Sequence, residues 1–188
     1  YTSGTTGNPK GVVCHHRGSY LMSTGSAVAW NMPNRLTFLC IVPMFHCNGW
    51  CYPWTLAMLN AKVICLRNVV AKDIFNLINE HEVSHFGGAP IVLNMLTNAP
   101  KENQKPLKNK VYVLTAGAPP PSIIFEKMKK LGFEVMHVYG LTETYGHILQ
   151  CAWNDEWNNL DNNKKNEIKA RQGVRYPNTE EVDVIDPE

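Results

Sequence analysis

Alternation of apolar runs with helix-like stretches constrains this chain more than any other feature. Residues 36–42 and 61–66 are almost continuously apolar, and residues 84–86, 111–115 and 133–138 form three shorter strand-like segments. Runs of this kind suit strands buried on both faces. Helical patterns lie before and between them, at residues 15–31, 55–59, 72–82, 91–97 and 123–131. In the third of these, Ile74, Leu77 and Ile78 share one face. Ser122 is the expected N-cap of the last, and Gly132 closes it. Residues 98–109 are polar and Lys-rich and read as a surface loop, and residues 43–54 as a loop dense in aromatics. Residues 153–171 read as a solvated excursion or peripheral helix, and residues 182–185 look like a strand. Repeated strand–helix–strand order predicts an α/β fold, a mostly parallel sheet layered with helices. In such sheets ligands lie beyond the carboxyl ends of the strands.

The first twelve residues carry the strongest chemical signal. Thr2, Ser3, Thr5 and Thr6 supply four hydroxyls, Gly4, Gly7 and Gly11 three glycines, and Lys10 a cation. Glycine lets backbone N–H groups turn toward an anion, hydroxyls add rotatable donors, and lysine adds a point charge. That is the inventory of a polyphosphate cradle rather than of a polar linker. It is not the Walker form, because Asn8 and Pro9 separate Gly7 from Lys10.

The balance of charge excludes several partners. A formal charge of +2 with 18% charged residues and no basic stripe gives no footprint for nucleic acid. No apolar run approaches the roughly 18 residues of a membrane span. Six scattered cysteines in apolar settings (Cys14, Cys40, Cys47, Cys51, Cys65, Cys151) are expected as buried thiols in a reducing compartment, which points to the cytoplasm.

The loop of residues 1–12 also resembles the signature loop of the adenylate-forming superfamily, which includes acyl-CoA synthetases, peptide adenylation domains and luciferases. Two further segments carry the same resemblance in the same order. Thr115-Ala116-Gly117-Ala118-Pro119 is similar to the adenine-side loop, and Tyr139-Gly140-Leu141-Thr142-Glu143-Thr144 to the second nucleotide motif. The resemblance implies an enzyme that uses ATP and Mg²⁺ to convert a carboxylic acid to an acyl-adenylate, then passes the acyl group to CoA. It assigns Thr2, Ser3, Gly4, Thr5, Thr6, Gly7 and Lys10 to the β- and γ-phosphates, and Thr142 to the α-phosphate. It assigns Glu143 to Mg²⁺, and Ala116, Gly117, Ala118, Pro119, Tyr139, Gly140 and Leu141 to the nucleoside side. The segment at residues 169–175 resembles acyl-CoA synthetases of medium-chain and aromatic acids. An acceptor other than CoA, as in carrier-protein loading or luciferases, and a non-catalytic nucleotide-binding domain are the rival readings.

Residues 43–50, Pro-Met-Phe-His-Cys-Asn-Gly-Trp, fall where this family places its acyl side, with His46 beside the substrate carboxylate. The segment holds no acid to pair an α-ammonium, and a buried unpaired charge is costly, so the substrate is read as an acid without a free α-amine. Trp50, Tyr52 and Trp54 imply an apolar or aromatic pocket. His46, Cys47 and Cys51 lack the fourth ligand of a structural zinc site, and His15-His16 reads as a loop-to-helix feature. No Gly-x-Ser-x-Gly elbow supports a hydrolase built on Ser3.

The chain opens at Tyr1 inside the first motif. By the resemblance, the ribose-binding Thr-Gly-Asp, the hinge and the small C-terminal domain with its lysine fall beyond Glu188. Residues 1–188 are therefore read as part of the AMP-binding N-terminal domain of a longer enzyme. Prepared alone, this stretch is expected to bind nucleotide weakly and turn over little. Ligation of acids by it at the full-length rate would overturn that expectation.

Overall fold

The computed structural model describes residues 1–2 and 7–186. Among them, seven strands form one sheet in the order β2-β1-β3-β4-β5-β6-β7. The strands are β1 (Thr37–Cys40), β2 (Lys62–Cys65), β3 (His85–Gly88), β4 (Val111–Thr115), β5 (Phe133–Leu141), β6 (Gly146–Gln150) and β7 (Val174–Arg175). The four ladders from β2 to β5 are parallel, whereas β6 and β7 are antiparallel additions. The expected mostly parallel α/β sheet is present.

Alternation along the strands separates two apolar layers. Leu39, Val111, Val113, Phe133 and Val135 face helices α4 (Ala71–His81), α5 (Pro90–Thr97) and α6 (Ser122–Lys130). Phe38, Leu114 and Val138 face the other way, onto Trp30 from the end of α1 (His16–Ala29) and Tyr52 and Leu56 from α3 (Tyr52–Met58). In the first layer Phe133 meets Phe86 edge to face at 5.9 Å and Phe75 at a tilt at 6.0 Å. Burying each such ring contributes about 1.5–3 kcal/mol.

Helix α7 (Asn162–Lys169) is the peripheral helix expected within residues 153–171, and it is anchored to β5. Its Ile168 is buried, Lys169 pairs with Glu134 at 2.6 Å, and the His137 ring lies 2.8 Å from the Ala170 carbonyl. Burial alone would raise the Glu134 carboxyl, but Lys169 and Lys110 outweigh it and hold the group below its usual range.

Several boundaries differ from the sequence reading. Helix α3 starts at Tyr52 rather than 55, because Pro53 suits a first turn whose N–H groups have no helical partner. Ser122 is not the N-cap: α6 already includes it, and Pro121 occupies the cap without a side-chain bond. Gly132, at φ +94°, does follow the end of α6. Strand β5 runs to Leu141 because β6, which the sequence reading lacked, extends its ladder. Residues 182–185 form no strand; Val184 is 96% exposed and nothing among the described residues pairs with the segment. Of the cysteines, only Cys51 and Cys151 are buried. Cys65 sits on edge strand β2 and Cys14 on the approach to α1, which exposes both.

Three histidines, His85, His137 and His147, are buried, and burial lowers the pKa of each. His85 lies between Trp30 and Tyr112, at centroid distances of 4.9 and 5.1 Å, and burial lowers its pKa to about 4. Burial lowers that of His147 to about 3. Both folded values fall below the usual value near 6.5, so the unfolded chain binds more protons between them. Stability is complete above pH 6.5 and declines as pH falls through that window. Denaturant midpoints should therefore drop from pH 7 to pH 4.5, and His85→Gln, which cannot charge, should show a shallower slope.

Candidate active site

Every parallel strand delivers residues to one groove just beyond its carboxyl end. Val69 follows β2, Ile41 and Val42 follow β1, Gly88 ends β3, and Ala116 and Gly117 follow β4. The end of β5 and the turn after it add Gly140 to Glu143, and α5 adds Val92 and Met95. From the N-terminal segment come Thr2, Gly7 and Lys10. Thr2 and Lys10 clasp each other: the Thr2 N–H donates to the Lys10 carbonyl at 2.9 Å, and the Lys10 N–H donates to Thr2 Oγ1 at 3.0 Å. The exposed Lys10 thereby stands at the base of the loop. Ser3, Gly4, Thr5 and Thr6 lie outside the described residues.

The second nucleotide motif is a tight hairpin between β5 and β6. Its ladder slips at Tyr139/Gly140, and residues 142–144 form one 3-10 turn. Thr144 Oγ1 accepts from the Leu141 N–H at 2.9 Å and reaches the Gly146 carbonyl at 2.8 Å, closing the turn on itself. Tyr145 leaves the turn at φ +65°, and its phenol accepts from the His15 N–H at 3.0 Å. The N-terminal segment and this hairpin are thus tied together. A Cβ on Gly140 would fall on the Gly146 carbonyl, so only glycine fits this approach.

On the other wall, α2 (Cys47–Trp50) is a single turn. With Cys51 it makes five consecutive residues at φ between +44° and +63°. Left-handed backbone costs about 1–2 kcal/mol for each non-glycine residue. Trp50 helps hold it in place, buried edge-on against His147 at 4.5 Å, over Gly87, where a Cβ would come within 2.9 Å of the indole. His147 is buried, and neither ring nitrogen has a hydrogen-bond partner among the described residues. Cys47 Sγ lies 3.2 Å from Thr142 Oγ1, and the Cys51 thiol donates to the Tyr145 carbonyl at 3.0 Å. Burial, with Cys14 and Cys47 nearby, pushes the Cys51 thiol up to about 12. Both thiols are engaged by the hairpin, and no group of three His, Cys, Asp or Glu side chains that would suit a metal ion occurs among the described residues.

A family model described as AMP-binding enzyme matches residues 1–188. The chain belongs to the AMP-binding enzyme family. It is 52% identical to the peroxisomal acetate/butyrate–CoA ligase of Arabidopsis thaliana over 188 residues, covering 99% of this chain and 33% of that protein. It is 48% identical to the 2-methylpropanoate–CoA ligase of Humulus lupulus over 187 residues, covering 100% of this chain and 33% of that protein. The chain spans about a third of the length of these relatives. Among solved structures, the N-terminal domain of FACL13 from Mycobacterium tuberculosis superposes with a TM-score of 0.76 at 30% identity, over 84% of this chain and 40% of that one. O-succinylbenzoate CoA synthetase from Bacillus subtilis, in complex with ATP and magnesium, gives 0.70 at 27% identity over 84% and 32%.

For this AMP-binding chain, the groove collects most of the residues singled out in the sequence. Thr2, Gly7, Lys10, His46, Ala116, Gly117, Gly140, Leu141, Thr142 and Glu143 all wall it. Ala118, Pro119 and Tyr139 are exposed but do not. Of the three aromatics expected to form a pocket, only Trp50 reaches the groove; Tyr52 is core and Trp54 is exposed. Sequence reasoning missed Gly88, Val92, Met95 and His147. The pair Gly87-Gly88 at a strand end was the available signal for the first. Gly140→Ala should destabilise the protein by about 1–3 kcal/mol, read as a lowered denaturant midpoint, because the clash is with backbone.

Proposed function

We propose that this chain is the nucleotide- and acid-binding part of an AMP-forming acyl-CoA synthetase acting on a short-chain carboxylic acid. The observation that carries the proposal is that one groove gathers Lys10 with its loop, Ala116 and Gly117, Thr142 with Glu143, and an apolar wall of Ile41, Val42, Trp50 and Val92. The named activities of the relatives, on acetate, butyrate and 2-methylpropanoate, support the short chain. So does Trp50, which stands across the acyl side on Gly87. Glu143 is the only acid among the described lining residues, so an α-ammonium on the acyl side would lie unpaired.

In this reading the acid's carboxylate oxygen attacks the α-phosphorus of ATP, the bond to the bridging oxygen breaks, and pyrophosphate leaves. The CoA thiolate then attacks the acyl carbonyl and AMP leaves. Lys10, Thr2 and the Gly7 backbone take the β- and γ-phosphates, together with Ser3, Gly4, Thr5 and Thr6. Thr142 donates to the α-phosphate, and His46 stands beside the incoming carboxylate. Gly117 offers a side-chain-free wall at φ +93° to the base, with Ala116, Ala118, Pro119 and Tyr139 around it. Gly140 and Leu141 set the backbone before Thr142. Glu143 is an exposed lone carboxylate, a donor set that fits Mg²⁺, which keeps its waters and phosphate oxygens, and does not fit zinc. When bound there, Mg²⁺ neutralises charge on the phosphates. For such a transfer, positioning and electrostatics supply most of the acceleration.

No helix among the described residues is long and apolar enough to cross a membrane. Free thiols on the surface at Cys14 and Cys65 fit a reducing compartment such as the cytoplasm. The test is acid-dependent ATP–pyrophosphate exchange by the complete protein, with acetate, butyrate, 2-methylpropanoate and an aromatic acid, with and without CoA. Exchange with the short acids, and AMP formation that consumes CoA, is the expected result. Glu143→Gln should lower exchange by about a hundredfold or more. Exchange without CoA consumption would point to another acceptor, and a folded, ATP-binding protein with no exchange to a binding domain.

A further inference from the structure

The acyl-side turn and the second nucleotide motif touch through sulfur. Cys47 Sγ reaches Thr142 Oγ1 at 3.2 Å across 95 positions of sequence, and the Cys51 thiol donates to the Tyr145 carbonyl at 3.0 Å. One run of positive-φ backbone therefore grips the turn at residues 142–144 from both ends. Strained backbone of this kind persists where its surroundings over-determine it, and it clusters at working sites. Cys47 is half-buried and walls both the main groove and a smaller cavity behind it, which Thr142, Tyr145, Cys14 and Cys51 also line.

We propose that Cys47 is a positioning residue for Thr142, a role that rests on the acid-activating function proposed above. A threonine hydroxyl has one proton and a freely turning O–H. Beside a carbonyl or carboxylate, Thr142 would donate that proton locally and present only lone pairs to an anionic phosphate. A thiol reverses the polarity. The Sγ···Oγ1 contact lets either partner donate; with an anionic phosphate competing for the hydroxyl proton, the weakly donating S–H turns to the Thr142 oxygen, fixes the rotor and leaves that proton for the α-phosphate. The sequence S–H to O–H to phosphate oxygen is polarised in one direction, and each bond strengthens the next. Cys47 thus links the wall of the acid pocket to the contact that holds the phosphorus under attack.

The experiment is a double-mutant cycle on the complete enzyme, read by acid-dependent ATP–pyrophosphate exchange. Cys47→Ala should lower kcat about threefold to tenfold, the weight of one hydrogen bond. The acid's KM should move by less than about twofold, since the contact acts on the transferring phosphate. Cys47→Ser keeps a donor and should recover most of the rate. In a Thr142→Val background, Cys47→Ala should cost nothing further. An equal loss in both backgrounds, a loss carried by KM, or failure of Ser to rescue would overturn the proposal in favour of simple packing. Absence of exchange in the unaltered enzyme would overturn the acid-activating reading and this inference with it.

Discussion

Parallel pairing from β2 through β5 sends every carboxyl end of those strands to the same edge of the sheet. The loops that follow have nowhere else to gather. Residues far apart in sequence, such as Val42 and Gly140, become neighbours around one groove. The two apolar layers behind the strands make the arrangement rigid, because Leu39 and Val113 on one face and Phe38 and Leu114 on the other are buried together. Chemistry at the edge is then a matter of which side chains the loops carry.

Reversal of direction after β5 gives the edge its closed side. Antiparallel β6 turns the second nucleotide motif back over the groove, and the turn is narrow enough that Gly140 meets the Gly146 carbonyl. Tyr145 then fastens this hairpin to the N-terminal segment, while Cys47 and Cys51 fasten it to the opposite wall. The hairpin bonds both to the N-terminal segment and to the α2 wall.

Much of this was legible in the sequence, and the remainder was not for identifiable reasons. Buried parallel strands show as unbroken apolar runs, so β1, β4 and the layered fold could be read directly; β2 was found as a strand, but its apolar run lies at the sheet edge and is largely exposed rather than buried on both faces. The motif at residues 1–12 could be read because its glycines, hydroxyls and lysine are what a phosphate cradle needs, whereas that at residues 139–144 was legible only through its resemblance to the adenylate-forming family. Strand β6 was not, since Gly-His-Ile-Leu-Gln has neither clean alternation nor length, and its pairing comes from the preceding turn. Trp50, Tyr52 and Trp54 share a two-residue spacing yet end up in groove, core and solvent, because a positive-φ run and a helix start between them break any common period. The contact between Cys47 and Thr142 had no signal at all; it exists only once the two walls are folded.

The left-handed run at residues 47–51 has a further consequence for motion. Its residues carry conformational cost that the strands beside them do not, and it is fastened largely by two sulfur contacts and one indole. Local opening of such a segment needs far less free energy than opening the sheet. Amide exchange at Asn48 and Gly49 is therefore governed by small fluctuations, while Leu39 and Val113 wait for global unfolding. The α2 wall breathes on a frame that does not.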